Sequence, residues 1–578
     1  MAIRCCSWSA LPAAALLAVA LADDSSRAAD PPAEAARPRL VVMVVFDQLR
    51  ADYLTRWEKQ FGDGGFRRLE QDGAWFQNCH YDFAGTWTGA GHASLSTGCS
   101  PATRGIVGNE WYGRAAGKSV YCVAADRYDR VPPAAPSDVK VKDEKKRANG
   151  KVSPETLRAV AFADALKNAT GGKARVVSLS FKDRAAILLG GKTPDACYWL
   201  DTDTGEFVTS TYYRDRLHPW VEAFNRGRPA DHWFGKDWTR LRPDLDYDKL
   251  AGPDDVSGEG VGIKQGRTFP HPMSGGLKEP GAAYYQALYT SPFGNDLLLA
   301  LAKEAIDKEE LGKGDVPDFL SVSFTSNDPV GHVWGPDSQE VLDTTLRSDL
   351  AVKGLLDHLD AKVGKGRYLL VLSADHGVCP LPEISKAQGK EAGRIPAETF
   401  TRKADEFLAG EFGGKDEKTP RWVEAVSNEW LFLNQKLLRD RSLDAAKVEE
   451  ALAGWLKDQP GVLTAYTRTQ LTNGTLKGDA IGERAVRSFY ADRCGDVMVV
   501  LKPYHLIGGE FKTGTTHGSP HPYDTHVPLL VYGAGVKTGV RREELSPAAT
   551  PAVFAEALGI KPPADAATPA PKDLFEKR

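Results

Sequence analysis

Six short runs along the chain are apolar or β-branched at nearly every position rather than at alternate ones: Leu40 to Phe46 (LVVMVVF), Ala174 to Phe181, Phe319 to Thr325, Tyr368 to Ser373 (YLLVLS), Val497 to Leu501 and Val527 to Tyr532. Unbroken runs of this kind suit strands covered on both faces, as in a buried parallel sheet. Between them, Gly294 to Glu309 and Ser338 to Val363 carry apolar residues at helical spacing, and Ser338 stands where an N-cap belongs. Alternating strands and helices predict an open, mostly parallel α/β sheet with helices on both faces. Two stretches break the alternation, at about 190–285 and about 385–485, and are expected to be insertions capping the sheet edge.

The N-terminus follows a different pattern. Arg4 precedes an apolar run from Ala10 to Ala22 that is too short to cross a bilayer, and Ala20-Leu21-Ala22 offers a small-x-small cleavage pattern. Residues 1–22 therefore predict a signal peptide, 23–38 a linker rich in Ala, Pro and charge, 39–565 the catalytic domain and 566–578 a tail. Export to the periplasm or beyond follows, with no membrane span after cleavage. Six cysteines remain after the leader, Cys79, Cys99, Cys122, Cys197, Cys379 and Cys494. Export permits disulfides among them, and their wide spacing leaves connectivity open.

The charge balance adds little: 73 Lys and Arg face 77 Asp and Glu in 578 residues, a net charge of −4. That gives no reason to expect nucleic acid as a partner. The chemistry gathers instead at strand ends, where open α/β sheets bind ligands. Asp47 follows the first run, Asp328 and His332 lie just past the third, Asp375-His376 follow the fourth, and His517 precedes the last. Gly331, between Asp328 and His332, is expected to permit a tight turn. Three aspartates and three histidines suit two divalent ions, with zinc preferred because half the ligands are imidazoles. The natural division gives one ion Asp328, His332 and His517 and the other Asp47, Asp375 and His376. Each keeps an open position, the arrangement that paired ions about 4 Å apart use for in-line phosphoryl or sulfuryl displacement.

These residues resemble the alkaline phosphatase superfamily from Leu40 to Tyr532. Within it the chain is most similar to the PafA-type periplasmic phosphomonoesterases, through DPVGHVWGPDS (Asp328 to Ser338) and HGSPHPYDTHVPLL (His517 to Leu530). The resemblance implies that the six residues above bind metal and that Thr88, in TWTGAGHAS, is the nucleophile, with Thr86 its nearest rival. As an N-cap, Thr88 would sit where free backbone N–H groups favour an anion. Lys182 and Arg184, two apart after a strand and expected on one side of it, would clamp the phosphoryl oxygens, and Asn109 would hydrogen-bond them. A sulfatase signature is imitated at Cys99-Ser100-Pro101-Ala102-Thr103-Arg104, but Arg104 falls one place late.

The expected activity is hydrolysis of small phosphate monoesters through a phosphothreonine intermediate at a two-zinc site. The alternatives are a phosphodiesterase or nucleotide pyrophosphatase of the same superfamily and a non-catalytic phosphate-binding relative. His92 is expected to be a hydrogen-bonded core residue, and His521 and His526 to orient ligands.

Overall fold

A computed structural model describes residues 37–134, 151–414, 420–474, 476–508 and 512–577. The signal peptide and most of the linker expected at the N-terminus lie outside these residues. The molecule is built on a ten-stranded sheet. Its strands, in chain order, are β1 (Leu40–Phe46), β2 (Ala74–Phe76), β3 (Arg130–Val131), β4 (Val176–Ser180), β5 (Ala196–Asp201), β6 (Glu206–Ser210), β7 (Asp318–Phe324), β8 (Tyr368–Ala374), β9 (Leu529–Gly533) and β10 (Gly539–Arg541). Their spatial order is β10-β2-β9-β8-β1-β7-β4-β5-β6-β3.

The centre of the sheet explains the unbroken apolar runs. Along β1, Leu40, Val42, Val44 and Phe46 pack into one hydrophobic layer while Val41, Met43 and Val45 pack into the layer behind. A strand with both faces covered has no polar side, and each buried side chain contributes ~1.5–3 kcal/mol of transfer free energy. Strands β1, β7 and β8 run parallel and in register, so that Phe46 pairs with both Phe324 and Ala374. Their C-terminal ends therefore share one level. Helix α4 (Gln339–Lys362) packs on one face, and Ser338 caps it by accepting the Val341 N–H.

Several expectations change. The run at Val527 to Tyr532 forms β9, which pairs antiparallel with β8, so it is not a parallel strand. Val497–Leu501 is a strand outside the main sheet. It belongs to a separate four-stranded antiparallel sheet with Val423–Ser427, Trp430–Leu433 and Val462–Thr467. Local apolar content cannot say which sheet a strand joins. Conversely, β5 and β6 lie inside the stretch expected to be a cap from about residue 190, yet both are strands of the main sheet. In the C-terminal segment expected as a tail, Leu574 and Phe575 pack into the layer behind β1. The six cysteines are all buried and free, so no disulfide forms among them.

Candidate active site

The level strand ends set the site. Asp47 follows β1, and its N–H donates to Phe324 O at 2.8 Å. Asp375 and His376 follow β8. Asp328 and His332 sit one turn apart on the same face of helix α3 (Asn327–Trp334), which starts just past β7. The segment expected to be a turn is thus helical, and Gly331 has another reason to be glycine: a Cβ there would lie 1.6 Å from Gln48 Oε1.

Two groups of candidate metal ligands result. Asp328, His332 and His517 form one, Asp47, Asp375 and His376 the other, and within each group the ligand atoms lie within 4.8 Å of one another. The groups abut, because the rings of His376 and His517 stack with centroids 3.4 Å apart. Each imidazole is oriented by a backbone carbonyl: His332 Nδ1 donates to Thr515 O (2.7 Å), His517 Nδ1 to Thr86 O (2.8 Å) and His376 Nδ1 to Gly377 O (2.9 Å). With Nδ1 turned to a carbonyl, Nε2 is the nitrogen that faces the carboxylates and the one left to ligate an ion.

The electrostatics call for cations. Both carboxylate oxygens of Asp47 and Oδ2 of Asp375 are buried without an aligned hydrogen bond among the described residues. Burial would raise the Asp47 pKa, but Lys182, whose Nζ lies 2.7 Å from Asp47 Oδ2, outweighs it and holds this carboxyl well below its usual range. Asp328 behaves likewise: burial opposes ionisation, and His332 and Lys182 outweigh it. Burial would lower His376, yet Asp375 and Asp47 lift it to about 9. Buried carboxylates beside oriented imidazoles fit divalent ions.

Thr88 borders this cluster. It is the first residue of helix α1 (Thr88–Thr97) rather than its N-cap, a position taken by Trp87. Its Oγ1 lies 3.4 Å from His376 Nε2, and its side chain is buried. Thr86, the rival, donates to Ser519 O. Asn109 Oδ1 accepts the Gly89 N–H at 2.8 Å, which ties Asn109 to the first turn of α1. The glycines after Thr88 are required by close approach: a Cβ on Gly91 would lie 2.1 Å from Asp375 O, and one on Gly89 2.8 Å from Gly108 O.

Lys182 reaches the cluster and Arg184 lies within electrostatic reach of Asp47, though not along an extended chain. Lys182 precedes helix α2 (Asp183–Gly190), and Arg184 lies in its first turn. Lys182 Nζ bridges the two groups, 2.6 Å from Asp328 Oδ2 and 2.7 Å from Asp47 Oδ2. Arg184 Nη1 donates to Tyr121 OH at 3.4 Å, and its buried Nε has no hydrogen-bond partner among the described residues.

His92 matches its expected core role and adds to it. It hydrogen-bonds Thr88 O and Ser323 Oγ, and its Nδ1 lies 3.0 Å from Asp375 Oδ2. His521 and His526 do not orient ligands; they reach Leu501 O and Gln77 O instead. Sequence reasoning missed Gln48. At φ +66°, it donates its N–H to Asp375 Oδ1 (3.1 Å) and its amide to Asp328 Oδ1 (2.8 Å), linking the two groups. Its place directly after Asp47 was the only available signal.

The chain belongs to the type I phosphodiesterase / nucleotide pyrophosphatase family, whose model matches residues 41–524. Within that class it is 36% identical over 504 residues to alkaline phosphatase PafA of Elizabethkingia meningoseptica, covering 87% of this chain and 88% of that one. It is 34% identical over 505 residues to a calcium-transporting ATPase of Myroides odoratus, covering 87% and 88%. Alkaline phosphatase PhoV of Synechococcus elongatus is 35% identical over 520 residues, covering 89% and 88%. The crystal structure of wild-type PafA superposes with a TM-score of 0.84 at 34% identity, covering 94% of this chain and 99% of that one.

Proposed function

We propose that this protein is an exported alkaline phosphatase that hydrolyses phosphate monoesters through a phosphothreonine intermediate. The observation that carries this reading is the position of Thr88, at the start of a helix and against two abutting sets of three metal-ligand side chains. Alkaline phosphatase names among relatives at about 35% identity support it. Export is supported by the N-terminal pattern of Arg4 and the apolar run Ala10 to Ala22. Zinc is the proposed ion at both sites, held by Asp328, His332 and His517 and by Asp47, Asp375 and His376.

Bound there, the two ions would supply Lewis acidity to the attacking and leaving oxygens. The chain's own residues do the rest. Thr88 Oγ1 gives up its proton and attacks phosphorus, the bond from phosphorus to the ester oxygen breaks and the alcohol departs, while the N-terminal end of α1 faces the anion. Asn109 and Arg184 offer donors to the non-bridging oxygens, and Lys182 offsets negative charge between the carboxylates and the phosphoryl group. A monoester has three such oxygens and uses all of these groups, whereas a diester must place a substituent where one donor stands. Water then displaces the threonine and returns inorganic phosphate.

The test compares kcat/KM for p-nitrophenyl phosphate and bis(p-nitrophenyl) phosphate, with ATP added to the panel because of the Myroides relative's name. The monoester is expected to be faster, and Thr88→Ala to lower its rate by about 10³-fold or more. A faster diester in wild type overturns the monoesterase reading; full activity in Thr88→Ala overturns the nucleophile.

A further inference from the structure

A cavity of about 580 Å³ separates the active site from the four-stranded cap sheet. Asn109, His332 and His517 line it on the site side, and Met498 and Glu429 on the cap side. It therefore opens onto the ligand group that includes His332 and His517.

The far wall is built with some care. Strands Val423–Ser427 and Trp430–Leu433 are joined by Asn428-Glu429, which have φ of +49° and +62°. Two-residue hairpins of this kind favour glycine at the second place, so a glutamate there holds a conformation that costs about 1 kcal/mol or more. Asn428 Nδ2 donates to Glu110 O, fastening the hairpin tip to the loop that carries Asn109. A Cβ on Gly108 would lie 2.4 Å from Asn428 Nδ2, so the approach is close.

The Glu429 side chain forms no hydrogen bond or ion pair with the described residues. Its carboxyl is pushed up to about 8 by burial and then by the nearby Asp524. Asp524 itself is engaged, accepting from Ser519 N (2.8 Å) and Ser519 Oγ (2.5 Å). The described residues lining the cavity include three carboxylates, Glu110, Glu429 and Asp524, and no lysine or arginine. Trp87, Phe400 and Tyr523 add aromatic surface. Aromatic side chains lining the same cavity as a carboxyl without a cationic partner favour a bulky organic cation once that carboxyl is ionised.

We propose that this cavity is the leaving-group subsite and that Glu429 selects phosphate monoesters whose alcohol carries an ammonium group. The proposal rests on the monoesterase reading and names the substrate class of that site. Its probes are 2-(trimethylammonio)ethyl phosphate and its uncharged isostere 3,3-dimethylbutyl phosphate, which differ in charge and hardly in shape. At pH 9, above the Glu429 value of about 8, the residue is mostly ionised. The ratio of kcat/KM for the two esters is the readout, and it does not depend on the fraction of enzyme that is folded.

Glu429→Gln is expected to lower that ratio by about tenfold, and Glu429→Lys to lower it further. Ratios within twofold of wild type in both variants overturn the subsite. Wild type that turns over neither monoester but cleaves bis(p-nitrophenyl) phosphate overturns the monoesterase reading instead.

Discussion

Gly331 shows how little space separates the two ligand groups. Gln48 reaches across to both Asp328 and Asp375, and its Oε1 occupies the position a Cβ on residue 331 would take. Gly331→Ala should displace Gln48 and weaken metal affinity by about 10–100-fold, measured by competition with a chromogenic chelator. Adding Gln48→Gly should restore part of the affinity, because the obstruction is then gone; equal losses in the single and double variants would refute the contact. A second residue-scale effect lies far from the site. Glu70 is buried, its Oε1 lacks a hydrogen bond among the described residues, and burial followed by Glu58 raises its pKa from 4.5 to about 7. A raised folded-state value means that stability is fully present below pH 4.5 and is lost as pH rises through about 7. Glu70→Gln should therefore gain in Tm relative to wild type between pH 5 and pH 8, and a constant difference would contradict the shift.

Among the elements, α4 was the most legible in the sequence. Its helical spacing and its cap at Ser338 were both readable, because capping is local chemistry between residues three apart. Ser338→Ala should cost about 1 kcal/mol in urea unfolding, and a loss under 0.3 kcal/mol would show that the cap bond contributes little. The strand at Val497–Leu501 was equally visible as a strand, but not as part of the cap. Its partners, Trp430–Leu433 and Val462–Thr467, are separated from it by long connections, and nothing within five apolar residues specifies the neighbours. The direction of β9 was hidden for the same reason, since parallel and antiparallel strands with both faces covered have the same composition.

For the whole molecule, the charge cluster at the strand ends makes folding and metal binding one problem. Ions that bind only the folded chain stabilise it by mass action, by about 4 kcal/mol at a thousandfold excess over Kd. Chelation should lower Tm by several degrees and stoichiometric zinc should restore it; a Tm indifferent to chelator would argue against bound ions. The six candidate ligands were readable because strand ends and side-chain chemistry leave marks in a few adjacent residues, and Thr88 because its motif resembles the family's. How these residues meet was not, because it depends on the register of β1, β7 and β8, which are contributed from distant parts of the chain. The same holds for Gln48, for the bridging of Asp47 and Asp328 by Lys182, and for the hairpin that carries Glu429 to the cavity. Sequence by itself determined which groups can bind metal and phosphate, since that is a property of each side chain; only tertiary structure decided their distances and their charge environment, which are set by packing between remote segments.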